Sequence, residues 1–296
     1  MEKFLEYLEE AERKFNEAKI NPRITPYPYT GIARTYLIKA RIIKDENLQL
    51  DLILAAAQEC NYLEKYLGET SESFVIKAEI ANLLNSVGFN ENQIEQIENR
   101  IGKANGYAYL AEIRYANEQL EEALRLTKKG LSFDPLSIWL MRLCISILRR
   151  QTPGDHKTIR SMLDDYTAIS AEKYDVELSF ELAKETYTDG NVKEAKIRFR
   201  DLTKKAENYP RLVTHREPED RWYVGANPKR LKGTIIKTPT LDLHGKIQTN
   251  FPEIYKDLLI VRKQDLQYDN PMVGDRVSYE IIFNMRGPEA SRVRKL

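Results

Sequence analysis

Apolar residues recur at helical spacing from the start of the chain: Phe4, Leu5, Leu8, Ala11 and Phe15 fall on one face. The stretch Asn21-Pro22 to Pro26-Tyr27-Pro28 ends that pattern, because proline lacks the amide donor a helix needs and clashes with the preceding turn. The same period returns over 30–43, 46–67, 72–87, 91–103, 105–116, 119–131, 136–150, 155–169, 173–188 and 191–206, which predicts helices joined by short turns. Toward the other end the period changes to two. Val277, Tyr279 and Ile281 alternate with polar neighbours after Gly274, as in a strand with one buried face. Gly287-Pro288 punctuates that strand, and apolar positions resume at Ala290 and Val293. The predicted fold class is mainly α, followed by a small all-β module.

Two of the predicted helix pairs repeat one another. Tyr107, Leu110, Ala111 and Tyr115 precede Leu120-Glu121-Glu122-Ala123, then Gly130 and Pro135. Leu182, Ala183 and Tyr187 precede Val192-Lys193-Glu194-Ala195 and Phe199 at the same spacings. This order resembles the tetratricopeptide repeat, a helix–turn–helix unit with small residues where its helices cross. The resemblance implies an α-solenoid over 1–208 with a concave surface for a protein partner, lined by the first helix of each pair. Tyr107, Glu112, Arg114 and Lys184 are its candidate partner contacts, while Tyr115 and Tyr187 are expected in the core. The glycine that the family places after the first small residue is absent. An unrelated all-α bundle is the other reading of 1–208.

The run from Gly274 through Val277, Tyr279, Ile281, Arg286-Gly287-Pro288, Ala290 and Val293 resembles the end of a bacterial cold-shock domain, a five-stranded barrel of the OB type. Followed upstream, the resemblance places strands at Lys232-Gly233-Thr234-Ile235-Ile236-Lys237, at Leu243-His244-Gly245-Lys246-Ile247 and at Asp257 to Arg262, for a barrel over 230–296. Such barrels bind single-stranded nucleic acid, largely by stacking bases on exposed aromatics. Here the stacking positions hold Lys237 and Thr238, His244 and Lys246, then Leu259, Val261 and Arg262. The candidate nucleic-acid contacts carried over are Lys237, His244, Lys246, Arg262 and Tyr268, with Arg286 added for its charge.

Charge changes the picture further. Residues 209–296 carry 16 Lys and Arg against 11 Asp and Glu, within a chain whose net charge is +1. A cationic wall with few rings would hold phosphates with strong salt dependence and little base preference. Between the modules, 209–229 reads as an ordered linker: Pro210, Pro218 and Pro228 exclude a helix, and Trp222 is expected to dock at the junction.

Catalytic motifs are lacking. His156, His215 and His244 do not fall at metal-ligand spacing, and no nucleophile elbow or phosphate-binding glycine loop occurs. No metal, cofactor or enzymatic activity is expected. Cys60 and Cys144 sit alone in apolar helical patterns, and the acidic amphipathic start differs from a secretory signal, so a cytoplasmic chain without membrane contact is expected. Two functions follow. One is an adaptor that couples a protein partner on the helices to single-stranded RNA (ranked ahead of DNA) on the barrel. The other is a protein-interaction scaffold whose barrel has lost nucleic-acid binding.

Overall fold

A computed structural model describes residues 2–20, 25–67, 70–169, 176–205, 223–224, 227–240, 243–249, 258–284 and 286–296. Helices come first: α1 (Glu2–Lys19), α2 (Pro26–Ile42), α3 (Glu46–Leu67), α4 (Ser71–Ser86), α5 (Ile94–Ile101), α6 (Lys103–Ala116), α7 (Leu120–Phe133), α8 (Ile138–Gln151), α9 (His156–Ile169), α10 (Val176–Thr188) and α11 (Val192–Lys205). Strands follow: β1 (Tyr223–Val224), β2 (Asn227–Pro228), β3 (Arg230–Lys237), β4 (Gly245–Thr249), β5 (Leu258–Val261), β6 (Arg276–Asn284) and β7 (Gly287–Lys295). The fold class is mainly α, then a closed five-stranded barrel. Among the described residues no helix is long and apolar enough to cross a membrane.

One expectation is corrected at α2. α1 ends at Lys19 as expected, but Pro26 and Pro28 open the next helix, which starts four residues ahead of the expected 30. The amides of a first turn have no intrahelical partner, so proline loses nothing there and its fixed φ suits the start. The start of α4 shows the complementary device. The Thr70 hydroxyl accepts the Ser73 N–H at 3.0 Å, and the Ser73 hydroxyl accepts the Thr70 N–H at 3.1 Å, a reciprocal cap worth about 1 kcal/mol.

The internal repeat is present bond for bond. The N–H groups of Asn117, Glu118 and Gln119 donate to the carbonyls of Ile113, Tyr115 and Arg114 at 3.1, 3.1 and 2.8 Å. In the turn between α10 and α11, Asp189, Gly190 and Asn191 donate to Glu185, Tyr187 and Thr186 at 2.9, 3.0 and 3.1 Å. Glu118 and Gly190 occupy the same left-handed position, with φ of 60° and 88°. Ala111, Ala123, Ala183 and Ala195 are all fully buried where consecutive helices pack, as close helix crossing requires.

The chain divides into two compact units, 1–147 and 148–296. The first is cored by aliphatic side chains of α2 to α8 with Tyr109 and Trp139 among them. In the second, Phe180, Ala183, Tyr187, Ala195, Phe199 and Leu202 of the last helix pair join Leu231, Ile235, Ile247, Val277, Tyr279 and Phe283 of the barrel in one core. The sequence places an ordered linker at 209–229, since a helix's apolar face does not reveal what it packs against. The linker segment 206–222, with Trp222 and His215, lies outside the described residues.

The barrel runs β3-β4-β5-β7-β6 and closes from β6 back to β3. β5 and β7 are parallel; the other pairs are antiparallel. Alternation sends Val277, Tyr279, Ile281 and Phe283 inward and leaves the polar members of β3 and β4 outside.

Candidate polyanion interface on the barrel wall

The outer wall of β3, β4 and β5 is set by register. Ile235 pairs with Ile247, but Lys237, not Ile236, pairs with Lys246. A bulge at Ile236 therefore re-aims the end of β3 and brings the two exposed lysines directly opposite one another. Lys246 pairs in turn with Ile260, which is 37% exposed on the same wall. The close approach at this end depends on Gly245, where a Cβ would lie 2.6 Å from the Lys237 carbonyl oxygen and from Pro239. Among the described residues no carboxylate pairs with Lys237 or Lys246.

His244 stands exposed just ahead of β4, after a turn closed by the Thr240 N–H to the Leu243 carbonyl at 2.9 Å and by the Leu243 N–H to the Thr240 hydroxyl at 3.1 Å. Arg286 is exposed in the β6–β7 turn, its N–H donating to the Asn284 side-chain oxygen at 2.8 Å. Two other candidates are committed elsewhere. Arg262 shares the wall with Lys246, but its Nε and Nη2 donate to both oxygens of the buried Glu289 at 3.0 and 3.1 Å. That bidentate pair neutralises the guanidinium. Tyr268 packs its ring against the barrel core and donates its hydroxyl to Asp275 at 3.3 Å. Burial, with the Asp275 charge beside it, pushes its phenol up to about 12. Tyr268 is therefore a strut of the turn before β6.

Asp275 ties that turn together. It accepts the Met272 N–H at 2.9 Å and pairs with Lys295 at 2.7 Å, and these bonds hold its carboxyl below the usual range. The sequence reading missed Lys232 and Arg276, both exposed on the outer faces of β3 and β6. The alternation of Lys232 with buried Leu231 and Gly233 was the available signal.

Each candidate partner contact is engaged within its own unit. Tyr107 is buried against Phe133, rings parallel at 5.7 Å, with the Lys129 ammonium 4.8 Å from its centroid. Glu112 accepts the Trp139 Nε1–H at 3.0 Å, and burial raises its carboxyl. Arg114 is half-buried and donates to Gln119 at 3.3 Å. Lys184 belongs to the other unit, where it is buried and pairs with Glu181 at 2.9 Å. Tyr187 is fully buried and meets Phe283 edge to face, centroids 5.2 Å apart. Cys60 and Cys144 are buried, which pushes their thiols up to about 12 and about 11.

No family model and no curated protein matches this chain. Among solved structures, a thermophilic TPR protein of Thermus thermophilus is similar at 16% identity and a TM-score of 0.33, covering 60% of this chain and 93% of its own.

Proposed function

We propose that the chain is an adaptor that holds a single-stranded nucleic acid by its phosphates on the barrel and a protein partner on its helices. The observation that carries the first half is the Lys237–Lys246 pair. Like charges directly opposite on antiparallel strands cost stability, about 0.2–1 kcal/mol. Here a bulge creates the juxtaposition and no described carboxylate relieves it. A bridging phosphate would turn that repulsion into attraction from both sides. The closed Greek-key order with one parallel pair supports the OB-type reading of the module.

For the helices, the support is the repeat together with exposed rings on α3 and α4. Tyr62, Tyr66 and Phe74 are 51, 53 and 59% exposed, and aromatic side chains are favoured in protein interfaces. The scaffold alternative draws on the engagement of Arg262 by Glu289 and of Tyr268 by Asp275, which removes two family contact positions.

Lys246→Glu in the full chain tests the adaptor reading. It replaces repulsion by an ion pair, so melting temperature should rise by about 2 °C while oligonucleotide binding weakens. An unchanged binding curve would remove the lysine pair from the interface, and a wild-type protein that binds no oligonucleotide would leave only the scaffold.

A further inference from the structure

The wall that the resemblance points to is not the most cationic one. Around the barrel, the outward faces of β3, β6 and β7 carry Arg230, Lys232, Arg276, Arg292 and Arg294 around the buried carboxylate of Glu280. Register aligns them. Lys232 pairs with Ser278, which pairs with Arg294, so a lysine and an arginine flank a serine across three strands. Arg276 stands opposite Thr234 one step along.

The neutralisation is incomplete. Glu280 takes Arg230 at 2.7 Å and lies 3.7 Å from Arg292. Arg230 is pinned further by donating to the Arg292 carbonyl at 2.9 Å, so its role is to hold the bulge that Arg292 makes with φ of 47°. Among the described residues Arg294 donates to neutral Gln267, at 2.7 Å, and meets no carboxylate. Among the described residues no carboxylate pairs with Lys232 or Arg276. Both are exposed, and nothing in the core depends on them.

We infer that this β3–β6–β7 wall is a second phosphate-binding surface, and that one polynucleotide strand crosses β3 from it to the Lys237–Lys246 pair. The inference rests on the proposed phosphate binding by that pair. β3 is shared by both walls, since it pairs with β4 on one side and β6 on the other. Two strand spacings separate Arg294 from Lys232, about 10 Å, and β3 carries the path about 16 Å further to Lys237. An extended single strand covers that path with a handful of nucleotides, at the lower end of the roughly 4–16 that such barrels hold. The ligand is a single strand read by its phosphates, RNA and DNA alike.

The test uses the full chain and labelled RNA and DNA strands of about 20 nucleotides, titrated at several salt concentrations. Lys232→Gln with Arg276→Gln and Arg294→Gln should flatten the plot of log K against log salt by about 2, or about 0.7 for each lost contact. Lys232→Gln alone should flatten it by about 0.7, which covers the case in which the triple variant melts early. Lys237→Gln with Lys246→Gln serves as the other arm, with an expected loss of about 1.4. A triple variant with the wild-type slope beside a flattened double variant overturns this second surface alone. The reverse pattern overturns the lysine pair and the continuous path to it, and confines binding to the β3–β6–β7 wall. Wild-type protein that binds neither strand overturns both.

Discussion

The ring of Phe199 on α11 lies parallel to that of Phe283 at the end of β6, centroids 6.2 Å apart and planes within 6°. Tyr187 meets the same Phe283 ring edge to face, and a Cβ placed on Gly287 would lie 3.8 Å from the Phe199 ring. The last helix pair is thus the stopper of the barrel, and one apolar core serves both. Phe199→Ala should cost about 3–5 kcal/mol, because a large buried ring leaves a cavity that strands cannot collapse into. Urea denaturation of residues 148–296 checks this. A piece starting at residue 222 should lack a cooperative transition, having lost the helices that cover Phe283.

Gly190 sets the turn between α10 and α11 at φ of 88°, with open space where a Cβ would stand. Gly190→Ala should therefore cost about 1 kcal/mol through backbone conformation alone, partly offset by a stiffer unfolded chain. The equivalent position already holds Glu118, so the fold tolerates that strain. A loss above about 3 kcal/mol in a thermal melt would show that a steric clash had been missed.

Acid should attack the second unit through the charge cluster on α10. Glu181 hydrogen-bonds Arg149 and lies 2.9 Å from Lys184; Glu185 takes Arg149 and His156, each at 2.6 Å. Burial alone would raise the Glu181 carboxyl, but Arg149 and Lys184 outweigh it and hold it at about 2, against 4.5 for the free side chain. A carboxyl depressed in the folded state contributes stability that is complete above its unfolded pKa and lost as pH falls through the folded one. Stability of 148–296 should decline from about pH 4.5 to about pH 2. Arg149→Met should lower stability near neutral pH and make little difference at the acid end. Equal losses at both ends, measured by urea midpoints, would contradict the assignment.

Much of the fold is legible in the sequence, for physical reasons that differ by element. Helical spacing marks α1 to α11, because each buries one stripe, and Ala111, Ala123, Ala183 and Ala195 mark the crossings. Alternation marks β6 through Val277, Tyr279 and Ile281. What was not legible depends on pairing between distant segments. Nothing local tells that Ile236 bulges and sets Lys237 opposite Lys246. Nothing local tells that Glu289, twenty-seven residues after Arg262, takes its charge. The union of α10 and α11 with the barrel is hidden for the same reason: Tyr187 reads as core, without saying which core.

The central claim is that the barrel wall holds a phosphate backbone between cations from facing strands. Its most direct test is a titration of the full chain against a labelled single strand of about 20 nucleotides, at about 50 mM and about 200 mM salt. The account predicts saturable binding at the lower salt, of similar strength for RNA and DNA, that weakens at least tenfold at the higher. No binding at tens of micromolar protein, or binding indifferent to salt, would contradict it.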